Sequence, residues 1–141
     1  MNRAQSRLLV VDDCATMRRS VSDLLHSFGF PFIDEAVDGA EALELFQRNP
    51  YDLVLTDWQM PRLNGLELVR AIRHAPERSQ TPVLVLTGHV TQARVVEAIE
   101  AGANGFVAKP FFPPSLCEKV MALVASLAPV KTFATPALAL T

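Results

Sequence analysis

Short apolar runs typical of buried β-strands alternate with helical segments along almost the whole chain of 141 residues. The five predicted strands span Leu8–Val11, Phe32–Ala36, Asp52–Thr56, Val83–Leu86 and Gly105–Ala108. Strands that alternate with helices over short connections are typical of a parallel sheet covered by helices on both faces. The pattern therefore predicts one α/β domain of five βα units. The third strand has a nearly unbroken apolar run and is expected at the centre of the sheet.

Apolar stripes and residues that favour helix ends mark the helices between these strands. Asp38, with Glu41 three residues later, predicts a capping box at the second helix. Thr91 and Gly102 predict the two ends of the fourth helix. The predicted helices cover about residues 14–28, 38–49, 66–72, 91–101 and 115–127, the last of them opened by Pro113 and Pro114.

Four of the apolar runs end in polar residues suited to phosphate chemistry. Asp12 and Asp13 follow the first strand, Asp57 the third, Thr87 the fourth and Lys109 the fifth. Taken singly, such residues are also compatible with a solvated turn, a strand terminus or a surface charge. The carboxyl ends of parallel strands, however, meet in one crevice, where ligands bind. We therefore expect three carboxylates, a hydroxyl and an ammonium group to converge in a single site.

The chemistry of these groups predicts a magnesium-dependent phosphoryl site. Neighbouring carboxylates repel one another unless a cation joins them, and Mg2+ prefers oxygen ligands of this kind. Asp57 ends the most buried strand and is the carboxylate best held for nucleophilic attack. Lys109 and the Thr87 hydroxyl would supply the positive charge and the donor that phosphoryl transfer requires. Lys109 also precedes Pro110, so the bond between them is a candidate cis peptide.

Four motifs carry a resemblance to a known family: VVDD at 10–13, LTDWQMP at 55–61, LTG at 86–88 and FVAKPF at 106–111. Over about residues 6–127 the chain resembles the receiver domains of two-component response regulators, in particular the single-domain CheY-like regulators. The resemblance implies a flavodoxin-like (βα)5 fold, a doubly wound sandwich whose five-stranded parallel sheet has the order 2-1-3-4-5. It also implies a receiver domain over residues 1–127, followed by a tail over 128–141 that is either flexible or packed on the last helix.

The resemblance assigns roles to the predicted site. It implies that Asp57 accepts a phosphoryl group from a histidine kinase or a phosphotransfer protein, and that Thr87 and Lys109 contact this group. The implied Mg2+ ligands are Asp12, Asp13, Asp57 and the backbone carbonyl of Gln59. The implied function is a phosphorylation-activated switch that relays a conformational change to a downstream protein, with chemotaxis as the favoured pathway.

Phe106 stands at the position of the family's switch aromatic, which turns inward as Thr87 moves toward the phosphoryl group. A plain core phenylalanine is the alternative. Chemotaxis regulators more usually carry tyrosine here, so this chain lacks a hydroxyl that would signal burial or bond a partner. Gln59 and His89, two residues after Asp57 and Thr87, are predicted to tune the lifetime of the phosphorylated state.

A second, milder apolar row on the last helix predicts a docking face beside the switch aromatic. With the aromatic residues that precede the helix, this face consists of Phe111, Phe112, Cys117 and Met121. We expect a downstream protein to bind there, or a second copy to form a homodimer through the last helix. In the alternative, the tail PVKTFATPALALT folds back and covers the face.

Another class of protein places a nucleophilic aspartate at a strand end. Phosphatases of the haloacid-dehalogenase type carry a second aspartate two residues later, where this chain has Gln59, and they need a substrate cap for which there is no room. We therefore expect no enzyme activity beyond phosphorylation from donors and self-dephosphorylation. Two alternatives remain open: a receiver fragment of a hybrid kinase or multidomain regulator, and a phosphorylation-independent docking module.

Composition narrows the partners and the compartment. The net charge is only −2, so no basic surface favours nucleic-acid binding. The apolar stretches are far shorter than the roughly 18 residues that span a bilayer, and the polar start MNRAQSR is unlike a signal peptide. Cys14 and Cys117 form no CxxC pair and are expected to be reduced packing residues. We expect a cytoplasmic protein that binds no nucleic acid and does not insert into membranes.

Overall fold

The computed structural model describes residues 4–88 and 90–125. In these ranges five strands alternate with five helices and form one parallel sheet in the order β2-β1-β3-β4-β5. The strands are β1 (Arg7–Val11), β2 (Phe32–Ala36), β3 (Leu53–Asp57), β4 (Val83–Thr87) and β5 (Gly105–Ala108). The helices are α1 (Ala15–Ser27), α2 (Gly39–Arg48), α3 (Gly65–Arg73), α4 (Gln92–Ala101) and α5 (Pro113–Ala125). The predicted flavodoxin-like fold and its strand order are confirmed.

Alternate residues of the strands point to opposite faces of the sheet and build two apolar cores. In β1, Leu9 and Val11 face the first core, which lies under α2, α3 and α4. Leu8 and Val10 face the second core, which lies under α1 and α5. Strand β3 pairs with β1 on one side and with β4 on the other, and residues 53–56 are buried. Burial on both faces accounts for the apolar run of this strand.

Helix α2 begins with half of the predicted capping box. The Asp38 carboxylate accepts a hydrogen bond from the Glu41 amide at 2.9 Å, as an N-cap residue does. The predicted return bond is wrong, because the Glu41 carboxylate reaches one residue further back and accepts from the exposed Val37 amide at 2.8 Å. A complete capping box is found at α3, where Asn64 and Glu67 each accept from the other's amide at 2.8 and 2.9 Å.

Two strands extend one residue beyond their predicted ends, and both added residues belong to the predicted site. Strand β3 ends at Asp57, which is paired with Leu86, and β4 ends at Thr87, which is paired with Ala108. The backbone of both residues is therefore fixed by the sheet rather than by a loop.

Several expectations concern residues outside the described ranges. They are the end of the last helix at Leu127, the tail over 128–141 and the rate-tuning role of His89. Within residues 4–88 and 90–125, no helix is long and apolar enough to cross a membrane.

Candidate functional site

Three carboxylate groups converge at the carboxyl edge of the sheet. Asp12 and Asp13 follow β1, and Asp57 ends the neighbouring strand β3. One oxygen from each group lies within 4.8 Å of the others, with Asp12 buried, Asp57 half-buried and Asp13 exposed. Carboxylates at such distances repel one another unless a cation lies between them. An oxygen donor set that remains open to solvent on one side suits Mg2+, which keeps several water ligands.

Asp12 is held by donors to both of its carboxylate oxygens. The Cys14 amide donates to Oδ1 at 2.9 Å, and the Lys109 ammonium donates to Oδ2 at 3.0 Å. The Asp12 carbonyl accepts a further bond at 2.8 Å from Arg18, whose guanidinium also pairs with Glu35 at 2.9 Å. Sequence reasoning missed Arg18, because its role depends on how α1 packs over the ends of β1 and β2. Asp12 is therefore held in place by three protein donors.

Asp57 is a carboxylate whose ionised form is disfavoured by its surroundings. Its Oδ1 accepts a hydrogen bond from the Trp58 amide at 2.7 Å, and its Oδ2 lies 3.4 Å from Lys109 Nζ. Burial raises the pKa of Asp57 above its ordinary value, Lys109 opposes this rise, and the charge of Asp12 adds to it. A cation bound between the carboxylates would favour the ionised form, which is the form that acts as a nucleophile.

Lys109 reaches the acidic cluster from the edge strand β5. Its ammonium lies 3.0 Å from Asp12 Oδ2 and 3.4 Å from Asp57 Oδ2, and its side chain is largely buried. Its amide donates to the carbonyl of Thr87, a buried residue, at 2.8 Å. The predicted cis peptide bond between Lys109 and Pro110 is present. The residues that were predicted from separate strand ends thus lie at one edge of the sheet.

Gln59 lies in the loop between β3 and α3, beside the acidic cluster, and its side chain is exposed. The Gly65 amide closes this loop by donating to the Trp58 carbonyl at 2.8 Å. A Cβ atom at Gly65 would overlap the Asp57 carbonyl, so only glycine lets α3 begin this close to the end of β3. An open cavity of about 450 Å³ lies along the loop and is lined by Asp13, Trp58, Gln59, Met60, Pro61 and Asn64.

Phe106 contacts the residue that follows Asp57. The rings of Phe106 and Trp58 meet edge to face with 6.2 Å between their centroids, and Trp58 is 7% exposed. Arg94, in the first turn of α4, places its guanidinium carbon 5.1 Å from the Trp58 ring centroid, which is a cation–π geometry. Arg94 Nη1 is buried, and no hydrogen-bond partner for it is found in the described part of the chain. The contact between Trp58 and Arg94 was not predicted, because it joins elements that are distant in sequence.

The predicted docking face is only partly exposed. Phe112 is 68% exposed, whereas Phe111 and Met121 are partly buried against the second core. Cys117 is 1% exposed, so its predicted place on a docking face is wrong. Helix α5 packs closely enough on the sheet that Cys117, next to the core residue Leu116, is also covered.

The two cysteines are free thiols in different surroundings. Cys117 is a packing residue, as predicted, and burial raises the pKa of its thiol. Cys14 is exposed at the N-cap position of α1, so the expectation of a packing residue is wrong there. Its amide is occupied by Asp12, which holds the chain at the turn from β1 into α1 and leaves the side chain in solvent.

Comparison with known proteins identifies the family. The family model of the response regulator receiver domain matches residues 8–121, and this chain belongs to that family. Its relatives include the chemotaxis protein CheY-3 of Vibrio cholerae serotype O1, which is 41% identical over 114 residues, covering 81% of this chain and 88% of the relative. The chemotaxis protein CheY of Pseudomonas aeruginosa is 40% identical over 114 residues, covering 81% and 92%. The chain is a CheY-like receiver domain, as its motifs predicted.

Solved structures agree with this assignment. The Vibrio cholerae chemotaxis protein CheY4 superimposes with a TM-score of 0.80 at 33% identity, covering 85% of this chain and 99% of that one. The receiver domain of a Pseudomonas aeruginosa sensor histidine kinase superimposes with a TM-score of 0.79 at 27% identity, covering 86% and 98%. The latter structure holds a magnesium ion in its active-site cleft.

Proposed function

We propose that this protein is a phosphorylation-activated signalling switch whose phosphoacceptor is Asp57. The observation that carries the proposal is the cluster of Asp12, Asp13 and Asp57, with the Lys109 ammonium bridging two of the three carboxylates. Membership of the receiver family supports phosphorylation-dependent signalling in general.

Asp12, Asp13, Asp57 and the backbone carbonyl of Gln59 are the groups that would hold Mg2+. When bound, the ion offsets the negative charge of the carboxylates and of an approaching phosphoryl group. The similar kinase receiver with a magnesium ion in its cleft supports this choice of ion. The protein itself fixes the geometry, since Lys109 and the Cys14 amide hold the Asp12 carboxylate in place.

In the proposed reaction, a carboxylate oxygen of Asp57 attacks the phosphorus of a phosphohistidine on a histidine kinase or phosphotransfer protein. A P–O bond forms as the P–N bond breaks, and the electron pair of the broken bond stays on the imidazole nitrogen of the donor. Lys109 and the Thr87 hydroxyl would donate hydrogen bonds to the phosphoryl oxygens. Hydrolysis returns the Asp57 carboxylate and inorganic phosphate, at a rate that the exposed Gln59 tunes. The protein acts on no other substrate in this proposal.

Phosphorylation of Asp57 would shift the population between two conformations of residues that already lie beside the site. Two or three charge-assisted hydrogen bonds contribute roughly 1.5 to 3 kcal/mol each before costs. Reversing a population from 1:99 to 99:1 requires about 5.5 kcal/mol, so the available free energy is of the right size. Movement of Thr87 toward the phosphoryl group would let Phe106 turn inward, and the contact of Phe106 with Trp58 supports this relay.

The proposed target is a protein that reads this change, and chemotaxis is the proposed pathway because the relatives are named chemotaxis proteins. The exposed Phe112, with the partly buried Phe111 and Met121, is the surface proposed for the target or for a second copy of the chain. Since Phe106 has no hydroxyl, recognition near the switch would depend on apolar contact rather than on a tyrosine hydrogen bond.

Intact-mass spectrometry after incubation with acetyl phosphate and Mg2+ tests the proposed function. We expect the wild-type protein to gain one phosphoryl group and Asp57→Asn to gain none. Chelation of Mg2+ with EDTA is expected to abolish the gain in the wild-type protein. An equal gain in Asp57→Asn would place the phosphoryl group elsewhere, and no gain in the wild type would favour a phosphorylation-independent docking module.

A further inference from the structure

The β3–α3 loop is joined to the start of α2 by an ion pair that the proposed reaction does not use. Arg62 Nε donates to Asp38 Oδ2 at 2.7 Å, and Arg62 Nη2 donates to Asp38 Oδ1 at 3.1 Å. The Asp38 side chain is only 7% exposed, whereas that of Arg62 is 62% exposed. This bidentate geometry fixes orientation as well as distance, because the planar guanidinium matches the two carboxylate oxygens.

The same two segments meet again one residue further along. The Gly39 amide donates to the Leu63 carbonyl at 3.0 Å, and a Cβ atom at Gly39 would overlap that carbonyl. Arg62 itself has a φ of 69°, in the left-handed region that non-glycine residues rarely adopt. A strained backbone of this kind persists where its surroundings hold it in place. The contacts at Asp38 and Gly39 supply such surroundings.

The clamped loop is the segment that carries Gln59. At its base, the Gly65 amide is bonded to the Trp58 carbonyl at 2.8 Å. At its tip, Arg62 is bonded to Asp38. Gln59 lies between these two fixed points, in a stretch that lines the open cavity beside Asp13. The main chain at Gln59 is therefore restrained on both sides, at Trp58 and at Arg62.

We propose that Arg62 and Asp38 are a positioning pair that holds the β3–α3 loop in the conformation presenting the Gln59 carbonyl to Mg2+, and that the pair thereby sets the metal affinity. The inference rests on the metal site of the proposed function. The Arg62 guanidinium holds the pKa of the Asp38 carboxyl below its ordinary value, which agrees with a pair formed at neutral pH. The Asp38 carboxylate also accepts from the Glu41 amide at 2.9 Å, so it keeps a hydrogen-bond partner when Arg62 is replaced, whereas the attachment of the loop is lost.

Isothermal titration with MgCl2, in the absence of any phosphodonor, measures this role. Arg62→Asn removes the bidentate pair but keeps a residue that tolerates left-handed backbone, so the loop is not strained further. We expect its Mg2+ dissociation constant to rise roughly tenfold, the lower end of what loss of a residue that orients a metal ligand costs. Arg62→Lys keeps the positive charge but not the two parallel donors of the guanidinium, so it is expected to lose part of the Mg2+ affinity. Arg48→Asn, at the exposed end of α2, makes the same charge change and is expected to bind Mg2+ as the wild type does.

Urea unfolding and phosphorylation at saturating Mg2+ complete the test. We expect Arg62→Asn to unfold near the wild-type midpoint and to reach the wild-type level of phosphorylation once Mg2+ is saturating. Unchanged Mg2+ affinity in Arg62→Asn, or an equal loss in Arg48→Asn, would overturn the positioning role while leaving the proposed function intact. The positioning role would also be overturned if Arg62→Asn lowered the unfolding midpoint and lost Mg2+ affinity only to the extent that the fold was destabilised. A wild-type protein that binds no Mg2+ would contradict both proposals.

Discussion

Lys109 donates a hydrogen bond to Asp12 at 3.0 Å across 97 positions of sequence. In the sheet, β3 and β4 lie between the strands that carry the two residues, so the ammonium spans the carboxyl edge of the central strands. The same ammonium lies 3.4 Å from Asp57. The Lys109 ammonium thus links Asp12, one of the proposed Mg2+ ligands, to Asp57, the proposed phosphoacceptor.

Replacing Lys109 is therefore expected to slow phosphoryl transfer to Asp57. Lys109→Ala removes a positive charge aimed at the phosphoryl position, and loss of one such preorganised donor typically costs about 100-fold in rate. Quench-flow mass spectrometry with acetyl phosphate at saturating Mg2+ measures the rate. Lys109→Arg, which keeps the charge, is expected to lose less. Equal rates in Lys109→Ala and the wild type would remove the ammonium from the proposed mechanism.

Replacing Asp57 is expected to stabilise the metal-free protein. Because burial and Asp12 raise the pKa of Asp57 in the folded state, its ionised form opposes folding at neutral pH. Asp57→Asn should therefore increase the free energy of unfolding at about pH 7 in EDTA. The gain is complete above the folded-state pKa, declines as the pH falls through it, and disappears near the unfolded-state value of about 3.9. Urea titrations of the wild type and Asp57→Asn across this pH range measure the gain in stability. A gain that increased toward low pH would contradict the raised pKa assigned to Asp57.

The stack of Arg94 on Trp58 joins α4 to the end of β3. A cation–π contact contributes roughly 0.5 to 2 kcal/mol, while a buried donor without a partner costs about 1 to 3 kcal/mol. These effects oppose each other, so Arg94→Ala is expected to change global stability little. Its clear effect is on the accessibility of Trp58, the only tryptophan of the chain. Acrylamide is expected to quench its fluorescence more in Arg94→Ala than in the wild type or Arg94→Lys, and equal quenching in all three would show that the stack does not shield the indole.

Two glycines near the site allow a controlled test of how closely the start of α3 approaches the end of β3. A Cβ atom at Gly65 would overlap the Asp57 carbonyl, whereas one at Gly88 meets nothing within 4 Å. Gly65→Ala is therefore expected to lower the free energy of unfolding by about 1 to 3 kcal/mol, as overpacking does. Gly88→Ala is expected to have little effect. Thermal unfolding of both variants measures the difference, and equal stabilities would mean that α3 shifts away from β3 at no cost.

The parts of the fold that are dictated by local sequence could be predicted. Strand β5 and the caps at Asp38 and Thr91 were placed correctly, because a short apolar run that begins at a glycine and a short polar side chain before a helix leave direct patterns. The convergence of Asp12, Asp57 and Lys109 was predictable for a related reason. Parallel topology brings strand ends together whatever the length of chain between them.

Contacts made by side chains across elements could not be predicted in the same way. Cys117 follows a helical period compatible with an exposed row, and only the closeness of α5 to the sheet buries it. The stack of Arg94 on Trp58 and the pair of Arg62 with Asp38 each join two loops or helix ends, so no periodicity marks them. The burial and the contact partners of such side chains depend on tertiary packing, which the periodicity of the sequence does not reveal.

The central claim is that a phosphoryl group on Asp57 changes the structure around Trp58 and Phe106. Rapid mixing with acetyl phosphate and Mg2+, followed in parallel by tryptophan fluorescence and by quenched intact-mass spectrometry, tests it most directly. We predict that the fluorescence change and the mass gain share one time course, decay together, and are both absent in Asp57→Asn. A mass gain without a fluorescence change, or a fluorescence change that persists in acetyl-phosphate-treated Asp57→Asn, would contradict the claim.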